Sequence, residues 1–164
     1  MANRDIHLRR ARAEEAAALG ELCLRSKAVW GYDAAFLEAC REELLPAAEA
    51  IVQGYVAVAE VGGRVAGMVE ISVENGSASL EKLFVEPEFL GNGIGARLMA
   101  WASAEAESRG AREIVIESDP GAADFYRRFG ARDAGIAPSV SIPGRTLPRL
   151  VLDLNGIAMP ERMG

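Results

Sequence analysis

Residues 83–99 read LFVEPEFLGNGIGARLM, which combines an apolar strand, a proline, three glycines at alternate positions and the beginning of an amphipathic helix. The strand is predicted to stop at Pro87, and the helix to continue to about Arg109. Glycines at such a junction let the backbone approach a ligand closely, and the free N–H groups of a helix N-terminus carry partial positive charge. The segment therefore predicts a phosphate-binding turn between a strand and a helix.

Three strands are predicted before this turn. Residues 55–61 and 64–74 alternate with a period of two around a Gly62-Gly63 turn, which is typical of a β-hairpin. Asn75-Gly76 is a second hairpin signal and leads into a strand over residues 77–85. The three strands predict an antiparallel meander that leads into the glycine segment.

The other elements are a first strand over residues 6–10, a helix to about Lys27, and a second helix over residues 34–45. Asp33 can cap that second helix, and Pro46 ends it. The predicted elements after the central helix are a strand at 113–117, a short helix at 120–130 and strands at 131–140 and 147–154. The succession of strand, helix and strand predicts one parallel crossover, and residues 155–164 are expected to form a loose tail.

Length and charge limit the function classes. The 164 residues suit one domain over residues 1–164, and the net charge of −6 argues against a nucleic-acid partner. The sequence lacks a secretory block and a run long enough to cross a bilayer, so we expect a cytoplasmic protein with no membrane partner. His7 is the single imidazole, and Cys23 and Cys40 fit ordinary reduced thiols, so no metal site is expected.

The glycine pattern has competing interpretations. Residues 91–96, GNGIGA, also fit the dinucleotide fingerprint G-x-G-x-x-A and loosely resemble the glycine loop of methyltransferases. A dinucleotide fold runs its first strand directly into the glycines and continues as repeated βαβ units, whereas here three antiparallel strands come first. A turn that only caps a helix is the remaining structural alternative.

A second motif, AADFYRRFG at residues 122–130, makes the chain resemble the GNAT superfamily of acyl-CoA-dependent N-acyltransferases. The family motif is Gln or Arg, two residues, Gly, one residue, then Gly or Ala; Gly93 and Gly95 match it, and Leu90 stands where Gln or Arg is usual. Element order agrees from Ile6 to Leu154. The resemblance implies a mixed α/β (α+β) fold with a mostly antiparallel central sheet and helices on both faces.

The resemblance also implies acetyl-CoA as co-substrate. The strand at 81–85 would splay away from the strand at 113–117, and the pantetheine arm would lie in the gap and bond an unpaired backbone row. Backbone N–H groups of the turn would hold the pyrophosphate, with Arg97 the nearest cation in sequence. The expected cofactor-binding residues are Leu83, Phe84, Val85, Gly91, Asn92, Gly93, Ile94, Gly95, Ala96 and Asp119, the last of which stands where many members have an asparagine and is alternatively only a helix cap.

Acyl transfer to an amine needs a base for the ammonium and a proton or hydrogen bond for the departing thiolate. Tyr126 matches the tyrosine that the family places near the cofactor sulfur, and it is the expected proton donor. Glu81 is the expected base, since it lies just before the cofactor-binding row and shares a predicted strand face with Leu83 and Val85. The alternative carboxylates are Glu70 and Glu117.

The acceptor is expected beneath the loop between the first two helices and the segment between the last two strands. Trp30 and Tyr32 lie in the first and Arg145 in the second, which predicts a small aromatic-walled substrate pocket. The predicted function is direct acetyl transfer from acetyl-CoA to a primary amine on a small molecule or peptide. The sequence does not fix the oligomeric state, and the resemblance allows a homodimer, which is common in the family. The alternatives are a non-catalytic CoA-binding sensor or partner-binding module and, more distantly, a methyltransferase.

Overall fold

A mixed β-sheet with helices on both faces organises the chain, as the sequence predicts. The computed structural model describes residues 5–140 and 142–154, and within these ranges the sheet has seven strands. The elements are β1 (Ile6–Arg10), α1 (Ala16–Ala28), α2 (Ala34–Leu44), α3 (Ala48–Val52), β2 (Val56–Val61), β3 (Arg64–Glu74), β4 (Ser77–Val85), α4 (Ile94–Ser108), β5 (Glu113–Glu117), α5 (Ala123–Phe129), β6 (Arg132–Pro138) and β7 (Thr146–Asp153).

The strands lie in the order β1-β2-β3-β4-β5-β7-β6. Neighbouring strands are antiparallel except β4 and β5, which run parallel and are joined by the crossover helix α4. The predicted meander of β2, β3 and β4 is present, and both residues of its second turn have positive φ, 55° at Asn75 and 79° at Gly76. Such a turn matches the twist of two antiparallel strands and fixes their register.

Each face of the sheet has its own apolar core. Leu98 and Met99 of α4 are fully buried against one face, where α5 also packs. Helices α1, α2 and α3 cover the other face, with Leu22 among the buried contacts. Gly67 of β3 permits the close approach of α4, because an added Cβ would lie 3.0 Å from Leu98 Cδ1. The glycine turn at the start of α4 is thereby held against the edge of β4.

One short helix and one bulge depart from the sequence-based expectation. Helix α3 follows Pro46 and was not predicted, since its five residues bury only Ile51 and show no helical repeat of apolar residues. The second helix ends at Leu44, one residue before the expected end. The tail expected at residues 155–164 lies outside the described residues.

The bulge lies in β4 at Glu81. In the pairing with β3, the residues on either side of Glu81 face consecutive β3 residues, so Glu81 has no residue opposite it. Its carboxylate accepts a hydrogen bond of 2.8 Å from Ser72, which shares a sheet face with Met68 and the α1–α3 layer. The prediction that Glu81 shares a face with Leu83 and Val85 is therefore wrong, because the extra residue breaks the alternation.

Other expected features can be located in the described residues. Cys23 and Cys40 are buried free thiols. None of the helices in residues 5–140 and 142–154 has the length and apolar character that a membrane-spanning helix needs. The same ranges contain no group of three or more His, Cys, Asp or Glu side chains arranged to hold a metal ion.

Candidate active site

A gap opens between β4 and β5. The two strands pair only from Ala78 with Ile114 to Leu80 with Ile116, whereas β5 continues beside β7 as far as Glu117. Beyond Leu80 the strands diverge around a cavity of about 700 Å³. The cavity wall includes residues 80–85 of β4, residues 117–119 at the end of β5, and much of the glycine turn. The predicted splay of these two strands is present, and we call this space the β4–β5 gap.

The register with β3 decides which backbone groups face the gap. The Glu86 N–H donates to the Ala66 carbonyl over 2.8 Å. From that point along β4, residues that are hydrogen-bonded to β3 alternate with residues whose N–H and C=O point away from β3. Phe84 is then hydrogen-bonded to Met68, and its ring packs towards α1 and α2. The expectation that the Phe84 backbone belongs to an unpaired row is therefore wrong, because its N–H and C=O are used within the sheet.

Leu83 and Val85 carry the backbone groups that point into the gap. Both side chains pack on the α4 side of the sheet, and in the described residues no strand pairs at their level with the side of β4 that faces away from β3. The Val85 N–H donates a hydrogen bond to the Ser26 hydroxyl over 3.3 Å. The Leu83 N–H and C=O and the Val85 C=O thus form a short open strand edge, which an extended amide-bearing ligand can pair with.

The glycine turn presents the free N-terminus of α4 to the same cavity. Gly91 and Gly93 have φ of 83° and 80°, a left-handed backbone conformation that favours glycine, and Gly93 is the N-cap residue of the helix. No side chain caps this end, so the N–H groups of Ile94, Gly95 and Ala96 remain available to a ligand. All five residues line the gap. The geometry is that of an anion-binding helix terminus.

Cations and polar groups near the turn differ from the expectation. Arg97 donates to the Ile6 carbonyl over 3.3 Å and so points towards β1 rather than into the gap. The Asn92 amide folds back to the Phe89 carbonyl at 3.0 Å, and Asn92 is not among the cavity-lining residues. Arg128 of α5 lines the cavity instead. Lys27 and Lys82 line the cavity too, so its basic side chains come from elements other than the glycine turn.

Sequence reasoning missed Arg128, although the FYRR motif contains it. The sequence alone does not show whether Arg127 or Arg128 lines the gap, because the two arginines are adjacent. In the structure Arg127 forms ion pairs with Asp124 at 2.6 Å and Asp133 at 3.0 Å. Adjacent residues of a helix point in directions about 100° apart, so only the orientation of α5 distinguishes the two.

Tyr126 lies in the wall of the gap. Its side chain is 6% exposed, and its ring meets Phe125 edge-on with centroids 5.1 Å apart. Burial, together with the charge of Asp119, raises the pKa of the Tyr126 hydroxyl well above its ordinary value. This tyrosine therefore stays protonated at physiological pH and is able to donate a hydrogen bond.

The three candidate carboxylates occupy different environments. Glu81 and Glu117 both line the gap. Glu70 is buried outside the cavity wall, where its Oε1 lies 3.2 Å from the Lys82 ammonium in an ion-pair contact without hydrogen-bond geometry. Burial raises the pKa of Glu70, partly offset by Lys82. The structure thus brings two of the three carboxylates to the cavity.

Asp119 is the centre of a polar cluster at the end of β5. Lys27 of α1 donates to its carboxylate over 2.6 Å, the Tyr32 hydroxyl donates to its other oxygen, and Arg145 lies 3.4 Å away. Burial raises the pKa of Asp119, but the hydrogen bonds from Lys27 and Tyr32 and the nearby positive charges outweigh it and leave that pKa below its ordinary value. The Asp119 side chain does not cap the following helical turn. We call Lys27, Tyr32, Asp119 and Arg145 the Asp119 cluster.

The predicted acceptor residues fall into two groups. Trp30 lines the cavity and packs on Gly121, where an added Cβ would lie 2.9 Å from its ring. Tyr32 and Arg145 lie outside the cavity wall and contact each other over 2.6 Å. The loop between α1 and α2 therefore does meet the segment between β6 and β7, through the Asp119 cluster.

Comparisons of the structure with solved proteins agree with this geometry. An N-acetyltransferase named PaiA from Thermoplasma acidophilum, solved with coenzyme A, matches with a TM-score of 0.74 and 18% identity over 91% of this chain and 99% of that one. YncA from Salmonella typhimurium, described as an acetyltransferase with acetyl-CoA, matches with a TM-score of 0.65 and 22% identity over 92% of this chain and 95% of that one. A GNAT family acetyltransferase from Brucella melitensis with acetyl-CoA matches with a TM-score of 0.60 and 23% identity over 92% of this chain and 89% of that one. These likenesses show the fold.

The sequence comparisons give the family. A search of curated proteins finds no match. A family model described as an acetyltransferase (GNAT) domain matches residues 13–136, which is most of the chain and includes both β4 and the glycine turn. The chain therefore belongs to the GNAT family of acetyltransferases.

Proposed function

We propose that this chain transfers the acetyl group of acetyl-CoA directly to a primary amine. The observation that carries the proposal is the β4–β5 gap, where an open strand edge at Leu83 and Val85 leads to the free N-terminus of α4. The two amides in the extended arm of an acyl-CoA suit an open strand edge, and the pyrophosphate that follows the arm suits an anion site next to that edge. The solved relatives from Thermoplasma, Salmonella and Brucella contain coenzyme A or acetyl-CoA.

The chain's own groups divide the binding between them. Leu83 and Val85 would hydrogen-bond the pantetheine amides through the backbone, as a neighbouring strand would. The N–H groups at the start of α4 would hold the pyrophosphate, and Arg128 would add the positive charge that Leu90 does not supply. Affinity would then depend more on backbone geometry than on side chains.

Catalysis would use two side chains of the gap wall. Glu81 would accept the proton of the incoming ammonium, directly or through water, so that the neutral amine attacks the thioester carbonyl. A backbone N–H of the open edge would polarise that carbonyl as charge develops on its oxygen. Tyr126, kept protonated by burial, would donate a hydrogen bond to the departing thiolate.

Two linked measurements test the proposal. Calorimetry should detect saturable binding of acetyl-CoA, with S-adenosylmethionine as the negative control that represents the methyltransferase alternative. A thiol reagent should then detect CoA release that depends on an added primary amine. Binding without amine-dependent release would favour the sensor alternative, and the absence of binding at millimolar acetyl-CoA would refute the proposal.

A further inference from the structure

The Asp119 cluster contains two cations and one carboxylate. Lys27 and Arg145 share the single carboxylate of Asp119, and Tyr32 adds a neutral hydroxyl. The side chains of Lys27, Asp119 and Arg145 are only 11%, 10% and 21% exposed. A charge held this far from water is costly unless an opposite charge accompanies it. Taken by itself, the cluster therefore has one more positive charge than negative.

Arg145 holds unused donors in a fixed position. Its Nη2 makes the contacts to Tyr32 and Asp119, whereas Nε and Nη1 donate to no residue in the described part of the chain. The guanidinium lies 5.2 Å from the Tyr32 ring centroid and 5.0 Å from that of Phe36, and these two rings stack on each other 4.0 Å apart. A guanidinium held in this way is a ready partner for a carboxylate.

The cluster adjoins the gap on the acceptor side. Lys27, Asp119 and Trp30 line the cavity, and Arg145, which is outside the cavity wall, lies 3.4 Å from Asp119. Glu117 also lines the cavity, but within residues 5–140 and 142–154 no ion pair joins it to Lys27 or Arg145.

We propose that the acceptor is an amino acid or a similar zwitterion, whose carboxylate binds the excess positive charge of Lys27 and Arg145. This inference rests on the proposed acetyl transfer and specifies its substrate class. The amine of such an acceptor faces the carboxylates of the gap, whereas its carboxylate completes the Asp119 cluster. An alkyl amine without a carboxylate leaves the cluster as it is and gains nothing from it.

The test compares pairs of acceptors in which a carboxylate is replaced by an uncharged carboxamide. The twenty common amino acids, and ω-amino acids of three to six carbons, are each assayed beside the carboxamide of the same compound by acetyl-CoA-dependent release of CoA. The amide of an α-amino acid has the less basic amine and the larger free-amine fraction at neutral pH, so a preference for the acid is not an effect of basicity. The wild type is expected to have a kcat/KM about 10-fold or more higher for the preferred acid than for its amide.

Variants connect the preference to the cluster. Arg145→Gln is expected to bring the acid-to-amide ratio to within about threefold, because a charge-assisted hydrogen bond is lost. Arg145→Lys keeps the charge and should retain part of the ratio. Arg41→Gln is the matched control, since Arg41 is an exposed arginine of α2 that also loses ion pairs, to Glu21 and Glu38. Its ratio should equal that of the wild type.

Each other outcome has a definite meaning. Equal use of acids and amides, transfer to amides or alkyl amines alone, or an equal loss for both in Arg145→Gln overturns the zwitterion proposal. Acetyl-CoA binding without transfer to any member of the panel overturns it as well. Failure of acetyl-CoA to bind refutes the proposed function itself, and calorimetry with acetyl-CoA on every variant separates that case from the others.

Discussion

The hydroxyl of Tyr126 is the group whose removal best separates chemistry from packing. The ring is 6% exposed and touches Phe125 edge-on, and Tyr126→Phe keeps both the burial and that contact. The hydroxyl makes no hydrogen bond to another described residue, so its loss leaves no protein group without a partner. We expect the free energy of unfolding to change by less than about 1 kcal/mol.

The expected kinetic effect is much larger. A hydrogen bond to a charged group contributes about 1.5–3 kcal/mol, which corresponds to a loss in kcat of roughly 10- to 150-fold if Tyr126 donates to the departing thiolate. The dissociation constant of acetyl-CoA should stay within about twofold, because the backbone and the glycine turn provide binding. Burial raises the pKa of Tyr126, and the donor is the protonated form, so this group should cause no alkaline loss of kcat below about pH 10 in the wild type.

The assay is steady-state CoA release together with calorimetry and thermal unfolding. Tyr55→Phe is the matched control, because the Tyr55 ring lies under the Arg109 guanidinium at 4.1 Å and outside the gap. Its kcat should be unchanged. A Tyr126→Phe enzyme with kcat within twofold of the wild type, or with a loss confined to acetyl-CoA affinity, would refute the assigned role.

Three further substitutions test other parts of the account. Gly67→Ala should lower the free energy of unfolding by about 1–3 kcal/mol in urea, since the new Cβ lies 3.0 Å from the Phe84 carbonyl oxygen as well as from Leu98 Cδ1, and unchanged stability would contradict the packing described. Glu81→Gln should lower kcat by about 100-fold near neutral pH and by less at higher pH, where the amine loses its proton without a base. A loss that is constant at every pH, or an equal loss in the exposed control Glu74→Gln, would exclude Glu81 as the base. Arg128→Gln should raise the acetyl-CoA dissociation constant about 5- to 30-fold in calorimetry, and an equal rise for an acetylated pantetheine without phosphates would contradict a phosphate contact.

Local signals in the sequence were sufficient for much of the fold. A hairpin turn needs positive φ, and Asn75 and Gly76 meet that need within two residues, so the meander could be predicted without knowledge of the rest of the chain. The strand, glycine turn and helix at residues 83–99 are equally local, because glycine spacing and helical periodicity lie in one segment. The resemblance to a family added the splay of β4 and β5.

Long-range contacts were the part that the sequence did not reveal. A single bulged residue moves Glu81 to the other face of β4, and no local pattern announces it. Lys27 and Asp119 lie 92 residues apart in sequence yet form a buried ion pair, which depends on how α1 packs on the sheet. The same applies to Arg128, whose place in the gap follows from the orientation of α5.

The central claim is that the open edge of β4 and the N-terminus of α4 bind one acyl-CoA between them. A crystal structure of the protein with acetyl-CoA tests it most directly. We predict pantetheine amides at hydrogen-bond distance from the backbone of Leu83 and Val85, and a pyrophosphate at the N–H groups of residues 93–96. A cofactor bound elsewhere, or a β4 strand that pairs with β5 beyond Leu80 when the cofactor is bound, would contradict the account.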